Sequence, residues 1–411
     1  MAAIRPFRAL RPAPDAAPRV AAVPYDVVST DEARALADGN DLSFLRVTRS
    51  EIDLPRQTDP YAPQVYAQAL ANFERIKREA PLVLEAEPSL YFYRLRMGGH
   101  EQIGLAAAYS LDEYDRDLIK KHERTRPDKE DDRTRHISEL RAQTGVVFLT
   151  YRASPEVDAI ARRVMASAPL YDFTAPDGVT HTIWKTGGEL SRALIEAFGR
   201  IPALYIADGH HRAASAARAR EALERREGER GPLRPRDSFL AVAFPDDQVQ
   251  ILPYNRVVKD LAGLAPDAFV ARLRERFTVT EGPATPRTKG DVAMYLAGRW
   301  YTIGLGRSTD RSLQGDRIGT LDVSLLQQHI LDPLLGIKDV RTDKRIDFVG
   351  GARGTKELQR LVDAGTSAVA FSLYPVTVDD LMAIADAGGI MPPKSTWFEP
   401  KLRDGLLIHV I

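Results

Sequence analysis

The stretch YIADGHHRAASAARAR, from Tyr205 to Arg220, constrains the fold most, because it joins an apolar run to a run of small residues. The apolar run ending at Tyr205 and Ile206 predicts a strand, and the alanines that follow predict a closely packed helix. Gly209 lets the backbone turn where a side chain would clash. The sequence therefore predicts that a strand ends directly at a helix N-terminus. The residues at this joint are Asp208, Gly209, His210, His211 and Arg212.

The residue types at the joint favour a negatively charged ligand. The amides of a first helical turn point outward at the positive end of the helix dipole. Arg212 adds a rigid fork of donors, and His210 and His211 add further donors. Asp208 has three open roles: it caps the helix, orients a histidine, or holds a cation that accompanies a phosphate. The alternative is that these are ordinary capping and turn residues.

A densely charged segment, KHERTRPDKEDDRTRH, precedes this joint in the sequence. Charge runs of this kind usually form a solvated surface. Pro127 excludes one long helix, however, and the alternating charges favour an ordered network. Such residues fit phosphoryl transfer, which needs a base and cations around the phosphates. The candidates are Glu123 as proton acceptor, the arginines Arg124, Arg126, Arg133 and Arg135 for phosphates, and Asp131 and Asp132 for magnesium.

The composition excludes several classes of function. The chain has 57 basic and 57 acidic residues and a formal net charge of zero, which disfavours a nucleic-acid-binding surface. It has no cysteine, so disulfides, thiolate zinc sites and thiol catalysis are excluded. No apolar run is long enough for a membrane span, and the proline-rich N-terminus does not resemble an export signal. We expect a cytoplasmic protein.

The pattern of the remaining chain predicts an α+β fold. The stretch from 43 to 55 is strand-like, and the stretch from 61 to 84 has helical spacing. Two hairpins are predicted, one around MGGH and one in YDFTAPDGVTHTIWKT. His181, in the second hairpin, is interpreted as a core residue. A smaller alternating unit begins near Leu264.

The motif YIADGHHRAASA resembles the signature of the ParB/sulfiredoxin superfamily. In that superfamily a Gly-x-x-Arg turn before a helix holds nucleotide phosphates. Sulfiredoxin activity requires a cysteine in this turn, and the chain has His210 there, so that activity is excluded. The form Asp-Gly-His-His-Arg is similar to that of the archaeal free serine kinases, which phosphorylate L-serine with a nucleoside phosphate.

Two further stretches are similar to these kinases in the same order along the chain. His122 and Glu123 match a His-Glu pair, and the resemblance implies that Glu123 is the base for the acceptor hydroxyl. Lys394, Ser395 and Thr396 match a loop near the C-terminus, which the resemblance implies binds substrate. Over its whole length the chain also resembles a bacterial family known only as a domain of unknown function. Its landmarks include PYDV, RTDKRIDFVGG and MPPKSTWFEPK.

The resemblance of the three stretches implies a ParB/sulfiredoxin-like core with additional α+β lobes that form a cleft. The predicted divisions are an N-terminal extension (1–87), the nucleotide-binding core (88–263), an inserted module (264–340) and a C-terminal lobe (341–411). The implied function is a kinase that uses ATP or ADP with Mg²⁺ and phosphorylates L-serine or a similar metabolite. A non-catalytic nucleotide switch, a DNA-associated module and an interaction protein stay open, as does a homodimer.

Overall fold

The computed structural model describes residues 2–227, 234–306 and 315–411. The chain forms two compact units. The first unit contains residues 1–121, 125–249 and 400–411, and the second contains residues 122–124 and 250–399. Helices and strands are mixed in both, so the predicted α+β class is confirmed.

The described strands are numbered in chain order, with these bounds: β1 (Ile4–Arg5), β2 (Ala9–Arg11), β3 (Val83–Leu84), β4 (Leu90–Met97), β5 (His100–Ser110), β6 (Ile119–Lys120), β7 (Ala142–Gln143), β8 (Val147–Tyr151), β9 (Tyr171–Thr174), β10 (Thr180–Thr186), β11 (Leu204–Asp208), β12 (Ser238–Pro245), β13 (Gln250–Leu252), β14 (Tyr254–Val258), β15 (Thr278–Glu281), β16 (Asp291–Leu296), β17 (Arg299–Gly304), β18 (Ile346–Gly350), β19 (Val369–Ser372), β20 (Trp397–Glu399) and β21 (Ile408–Val410).

The described α-helices have these bounds: α1 (Ala17–Val20), α2 (Thr30–Ala37), α3 (Leu45–Thr48), α4 (Pro63–Glu79), α5 (Leu111–Asp115), α6 (Pro127–Leu140), α7 (Pro155–Met165), α8 (Gly188–Phe198), α9 (His210–Glu227), α10 (Pro266–Arg274), α11 (Asp322–Leu326), α12 (Gly354–Asp363) and α13 (Val378–Asp386).

The first unit is built on a large mixed sheet with the strand order β6-β11-β8-β12-β5-β4-β10-β9, and β1 pairs with β5. The central strands β8 and β12 run parallel and are buried along their whole length. Such strands read as continuous apolar runs because both faces are covered. Their side chains form one core with residues of α7, α8 and α9. This packing fixes β11 and the helix that follows it.

Local sequence patterns were reliable for the hairpins and wrong for one segment. The strand pairs β4–β5 and β9–β10 are antiparallel, as predicted. The predicted strand from 43 to 55 is wrong, because α3 and a 3₁₀ helix (Ser50–Asp53) occupy it. Phe44, Val47 and Ile52 are buried there in a cluster that includes residues of α4. Tertiary packing therefore overrides the β-type residue pattern of this segment.

Pro127 begins α6 instead of interrupting a helix. Proline is tolerated at the first helical position, because the amide of that position has no partner within the helix. The charged segment thus divides into an irregular part before residue 127 and a helix after it.

The second unit contains a sheet with the order β15-β17-β16-β19-β14-β18 and a small pair, β13 and β20. Its described core includes Val257, Tyr295, Val349, Leu358 and Ala370. Strands from the segment 264–340 thus share a sheet with strands from 341–411. The division into four sequence segments stays a prediction. Across the described residues, no helix combines the length and apolarity required to cross a membrane.

Candidate functional site

The joint between β11 and α9 has the strand–turn–helix form that the sequence predicts. Gly209 has a φ of +95°, which an L side chain rarely adopts. A Cβ atom at this position would lie 3.2 Å from Cζ of Arg212. The amide of Ala213 donates to the carbonyl of Gly209 at 3.0 Å, which starts the helix. Glycine is therefore needed both for the turn and for the approach of Arg212.

Arg212 is buried beneath this turn and is surrounded by acceptors. Its Nη1 donates to the carbonyl of Val146, and its Nη2 lies 3.3 Å from Oδ2 of Asp26 and 3.7 Å from Oδ2 of Asp208. Burial lowers the pKa of Arg212, but the carboxylates around it outweigh burial and raise it. The Nε atom is buried and has no hydrogen-bond partner among the described residues. Most donors of Arg212 thus hold the turn in place.

Asp208 is ion-paired to a lysine near the end of the chain. Its Oδ2 accepts a 2.9 Å hydrogen bond from Nζ of Lys401. Burial raises the pKa of Asp208, but Lys401 and Arg212 together outweigh burial and lower it. Asp208 is therefore ionised, and two cations balance its charge.

Asp404 is a second buried carboxyl near Arg212. Burial raises its pKa to about 7, although Arg212 acts in the opposite direction. Its Oδ2 has no hydrogen-bond partner in the described part of the chain. Its backbone is fixed by two hydrogen bonds to the backbone of Ala22, at 2.9 and 3.1 Å. The raised pKa of Asp404 thus lies in the neutral range, and its backbone is held in place by Ala22.

The N-termini of α6 and α9 lie side by side. The backbone N–H of Arg126, which precedes α6, donates to Nε2 of His211 at 3.0 Å. One turn further along both helices, Oγ of Ser215 donates to the carbonyl of Glu130 at 3.2 Å. Because both contacts join corresponding turns of α6 and α9, the positive N-terminal ends of the two helices lie together. The guanidinium of Arg126 is exposed there and pairs with Asp128.

The acidic residues predicted to bind magnesium are engaged in other contacts. Oδ1 of Asp132 accepts from the hydroxyl of Tyr66 at 2.8 Å, and Oδ2 accepts from Nε of Arg133 at 2.7 Å. Asp131 forms an ion pair with Arg218 of α9. Each oxygen of buried Asp132 accepts one hydrogen bond, and these contacts fix α6. The predicted magnesium role of Asp131 and Asp132 stays a prediction.

The predicted site residues His122, Glu123 and Arg124 belong to the second unit. The carbonyl of His122 accepts from the amide of Met391 at 2.8 Å. His122 is buried, Glu123 is half-buried and Arg124 is exposed. The stretch His122–Arg124 is therefore anchored within this unit.

The loop with Lys394, Ser395 and Thr396 lies between α13 and β20. Lys394 is exposed, and its Nζ lies 5.4 Å from the ring centroid of Tyr254. Ser395 is buried, and its hydroxyl donates to the carbonyl of Pro392 at 2.6 Å. Thr396 is half-buried. The hydroxyl of Ser395 thus stabilises the conformation of the loop.

Three residues around the turn had no role in the sequence interpretation: Asp26, Lys401 and Asp404. Asp26 and Lys401 lie in the landmarks PYDV and MPPKSTWFEPK, whose residue types do not by themselves indicate a role. Asp26 is 186 positions from Arg212, so no local pattern links the two. The two landmarks are the sequence signal that could identify Asp26 and Lys401 as site residues.

These observations define an α+β protein with a buried arginine under a glycine turn, where two helix N-termini meet. The model of the family described as "Protein of unknown function (DUF1015)" matches residues 4–324. The chain belongs to this family. No protein with a curated description matches the sequence.

The solved structures that are similar over most of the chain include the following three. C-terminally truncated SbnI from Staphylococcus aureus has 12% identity and a TM-score of 0.39, covering 74% of this chain and 87% of its own. Free serine kinase in complex with AMP has 15% identity and a TM-score of 0.34, covering 74% and 92%. A conserved hypothetical protein from Pyrococcus furiosus has 14% identity and a TM-score of 0.34, covering 75% and 95%.

Proposed function

We propose that this protein is a nucleotide-dependent phosphotransferase that phosphorylates a hydroxyl group of a small metabolite, with free L-serine as the first acceptor to test. The observation that carries the proposal is the meeting of the α6 and α9 N-termini at the Asp208–Arg212 turn. The motif resemblance to ParB/sulfiredoxin-like nucleotide sites and to free serine kinases supplies the reaction class.

The electrostatics of the turn support a phosphate ligand. The first turn of α9 has no acidic side chain, and its amides lie at the positive end of a helix of 18 residues. The charge of Asp208 would repel a phosphate, but Lys401 and Arg212 balance it. The buried Nε donor of Arg212 adds a hydrogen-bond donor without a partner among the described residues. In the proposal, Arg212 acts mainly by holding the turn, and the backbone amides of residues 209–211 and the guanidinium of Arg126 bind phosphate oxygens.

The proposed reaction needs one base and one acceptor site. Glu123 takes the proton of the acceptor hydroxyl while that oxygen forms a bond to the terminal phosphorus of ATP or ADP. The bond from this phosphorus to its bridging oxygen breaks, and ADP or AMP leaves. His122 and Arg124 flank the base, and Lys394, Ser395 and Thr396 belong to the acceptor site. No step uses Asp131 or Asp132.

Calorimetric titration with ATP, ADP and AMP tests the nucleotide site. Gly209→Ala places a Cβ atom beside Arg212 and strains the turn, so nucleotide affinity should fall at least about tenfold. Gly178→Ala is the matched control, because Gly178 also has a positive φ, +82°, but has open space around a Cβ atom. Equal affinities of the two folded variants would contradict the site.

Product analysis tests the reaction itself. The protein is incubated with ATP or ADP and a panel of hydroxyl-bearing metabolites, starting with L-serine, and phosphorylated product is detected by mass spectrometry. Nucleotide binding without any phosphorylated acceptor would reject the phosphotransferase and leave a non-catalytic nucleotide switch.

A further inference from the structure

Arg256, on β14 of the second unit, is a buried arginine with an unusual environment. Its side chain is 3% exposed, and it forms no ion pair among the described residues. Burial without a balancing carboxylate lowers its pKa to about 10. A buried charge is costly unless its hydrogen bonds are satisfied. The hydrogen-bond partners of this guanidinium therefore indicate its structural role.

All the hydrogen bonds that Arg256 makes in the described structure are to backbone carbonyls. Nη1 donates to the carbonyl of Tyr254, and Nη2 donates to the carbonyls of Lys394 at 2.9 Å and of Pro393 at 3.4 Å. Its Cζ atom lies 5.1 Å from the ring centroid of Phe348 on β18. The guanidinium thus ties the loop before β20 to the sheet. A planar fork suits this task better than an ammonium group.

The loop is held in a conformation that needs such support. Lys394 has a φ of +58°, in the left-handed region that costs a side chain about 1–2 kcal/mol. Strained residues of this kind persist only where the surroundings fix them, and they cluster at functional sites.

The glycine pair at the end of β18, Gly350 and Gly351, contributes to the same arrangement. A Cβ atom at Gly350 would lie 2.7 Å from the indole of Trp397, and one at Gly351 would lie 2.6 Å from Cβ of Leu252. Trp397 also packs edge-on against Tyr254, with ring centroids 5.0 Å apart. Gly350 therefore makes room for Trp397, which follows the loop, and Gly351 makes room for Leu252. This gives a physical reason for the landmark RTDKRIDFVGG.

We propose that Arg256 is a positioning residue that holds Lys394, Ser395 and Thr396 in the conformation that binds the phosphate acceptor. The assignment of acceptor binding to this loop rests on the proposed function. The stabilisation of the loop by Arg256 rests only on the hydrogen bonds described above. The two parts therefore need separate measurements.

Limited trypsin digestion of the full chain measures the hold directly. Lys394 is exposed, and its carbonyl, which trypsin must attack, is the acceptor of the Arg256 hydrogen bond. Arg256→Met keeps an unbranched apolar stem and removes the donors. Cleavage after Lys394, followed by mass spectrometry, should become about tenfold faster or more. Arg256→Lys should give an intermediate cleavage rate. This variant replaces Arg256→Met in the experiment if the Met variant does not fold.

Arg299→Met is the matched control, because Arg299 lies on β17 of the same unit and pairs with Glu281 on the surface. It should leave cleavage after Lys394 unchanged. An unchanged cleavage rate in folded Arg256→Met, or in folded Arg256→Lys if the Met variant does not fold, would overturn the positioning role.

Kinetics with L-serine and ATP or ADP test the link to the acceptor. For Arg256→Met, KM for L-serine should rise about tenfold, while the Kd for the nucleotide stays within about twofold of wild type. A rise in nucleotide Kd with no change in KM for L-serine would overturn the acceptor role. If wild type phosphorylates no acceptor, the acceptor role falls with the proposed function, and the digestion result still decides whether Arg256 holds the loop.

Discussion

The hydrogen bond from the backbone N–H of Arg126 to Nε2 of His211 joins the N-terminus of α6 to that of α9. Since Nε2 accepts, the proton of the neutral ring is on Nδ1. Burial lowers the pKa of His211, which favours this neutral form. His211 thus links the two helix ends through Nε2, and its predicted role in binding phosphate stays a prediction.

Replacing His211 tests whether this link matters for the ligand. His211→Phe removes the acceptor and leaves the backbone amide of Arg126 without this hydrogen bond, which costs about 0.5–1.5 kcal/mol, or up to about tenfold in affinity. Calorimetry should show a nucleotide affinity reduced by about two- to tenfold. His100→Phe, on β5 of the same unit, should leave it unchanged. Equal effects of the two variants would argue against a role for the link.

Arg212 and Arg218 allow a comparison of buried and exposed ion pairs on one helix. Arg212→Met leaves Asp26 and Asp208 without a shared cation in a buried site, so the free energy of unfolding should fall by about 3–5 kcal/mol. Arg218→Met removes partly exposed pairs to Glu130 and Asp131 and should cost less than about 1 kcal/mol. Urea denaturation measures both values. Similar losses would show that Arg212 does not anchor the turn.

Asp404 predicts how stability depends on pH. Its pKa is raised from 3.8 to about 7 in the folded protein, mainly by burial, so the folded state binds more protons than the unfolded state between these values. Its contribution is fully present below about pH 4 and is lost as pH rises through about 7, at about 1.4 kcal/mol for each pH unit within the window.

Asp404→Asn isolates this contribution from those of other groups. Asparagine keeps the size of the protonated acid but does not titrate. Urea denaturation at several pH values should therefore show the variant becoming more stable relative to wild type as pH rises from 4 to 7. A constant difference across this range would mean that Asp404 does not have a raised pKa.

The sequence predicted the turn well because its signals are local. An apolar strand, Gly209 and a run of alanines suffice to predict the strand–turn–helix, and the structure has it. The surroundings of Arg212 could not be predicted in this way. Asp26, Asp208 and Asp404 come from three distant parts of the chain, and only the tertiary fold brings Asp26 and Asp404 to the arginine.

The charged segment KHERTRPDKEDDRTRH shows a different limit of prediction from residue type. Residue type alone could not show that Asp132 is buried and accepts hydrogen bonds from Tyr66 and Arg133. The same holds for Ser43–Pro55, where apolar residues fit either a strand or a short helix. In both segments, packing against α4 and its neighbours decides the outcome.

Glu123→Gln tests the proposed base. A serine-like hydroxyl becomes a good nucleophile only as its proton is removed, and a carboxylate within hydrogen-bond reach can accept that proton. Glutamine keeps the size of the side chain and its ability to hydrogen-bond, but it cannot act as the base. Nucleotide Kd should therefore stay within about twofold of wild type, while kcat should fall by about 10²–10⁴-fold. Glu357→Gln, which affects a surface pair with Arg360 in the same unit, should leave kcat unchanged. Wild-type turnover in a folded Glu123→Gln protein would show that another group accepts the proton.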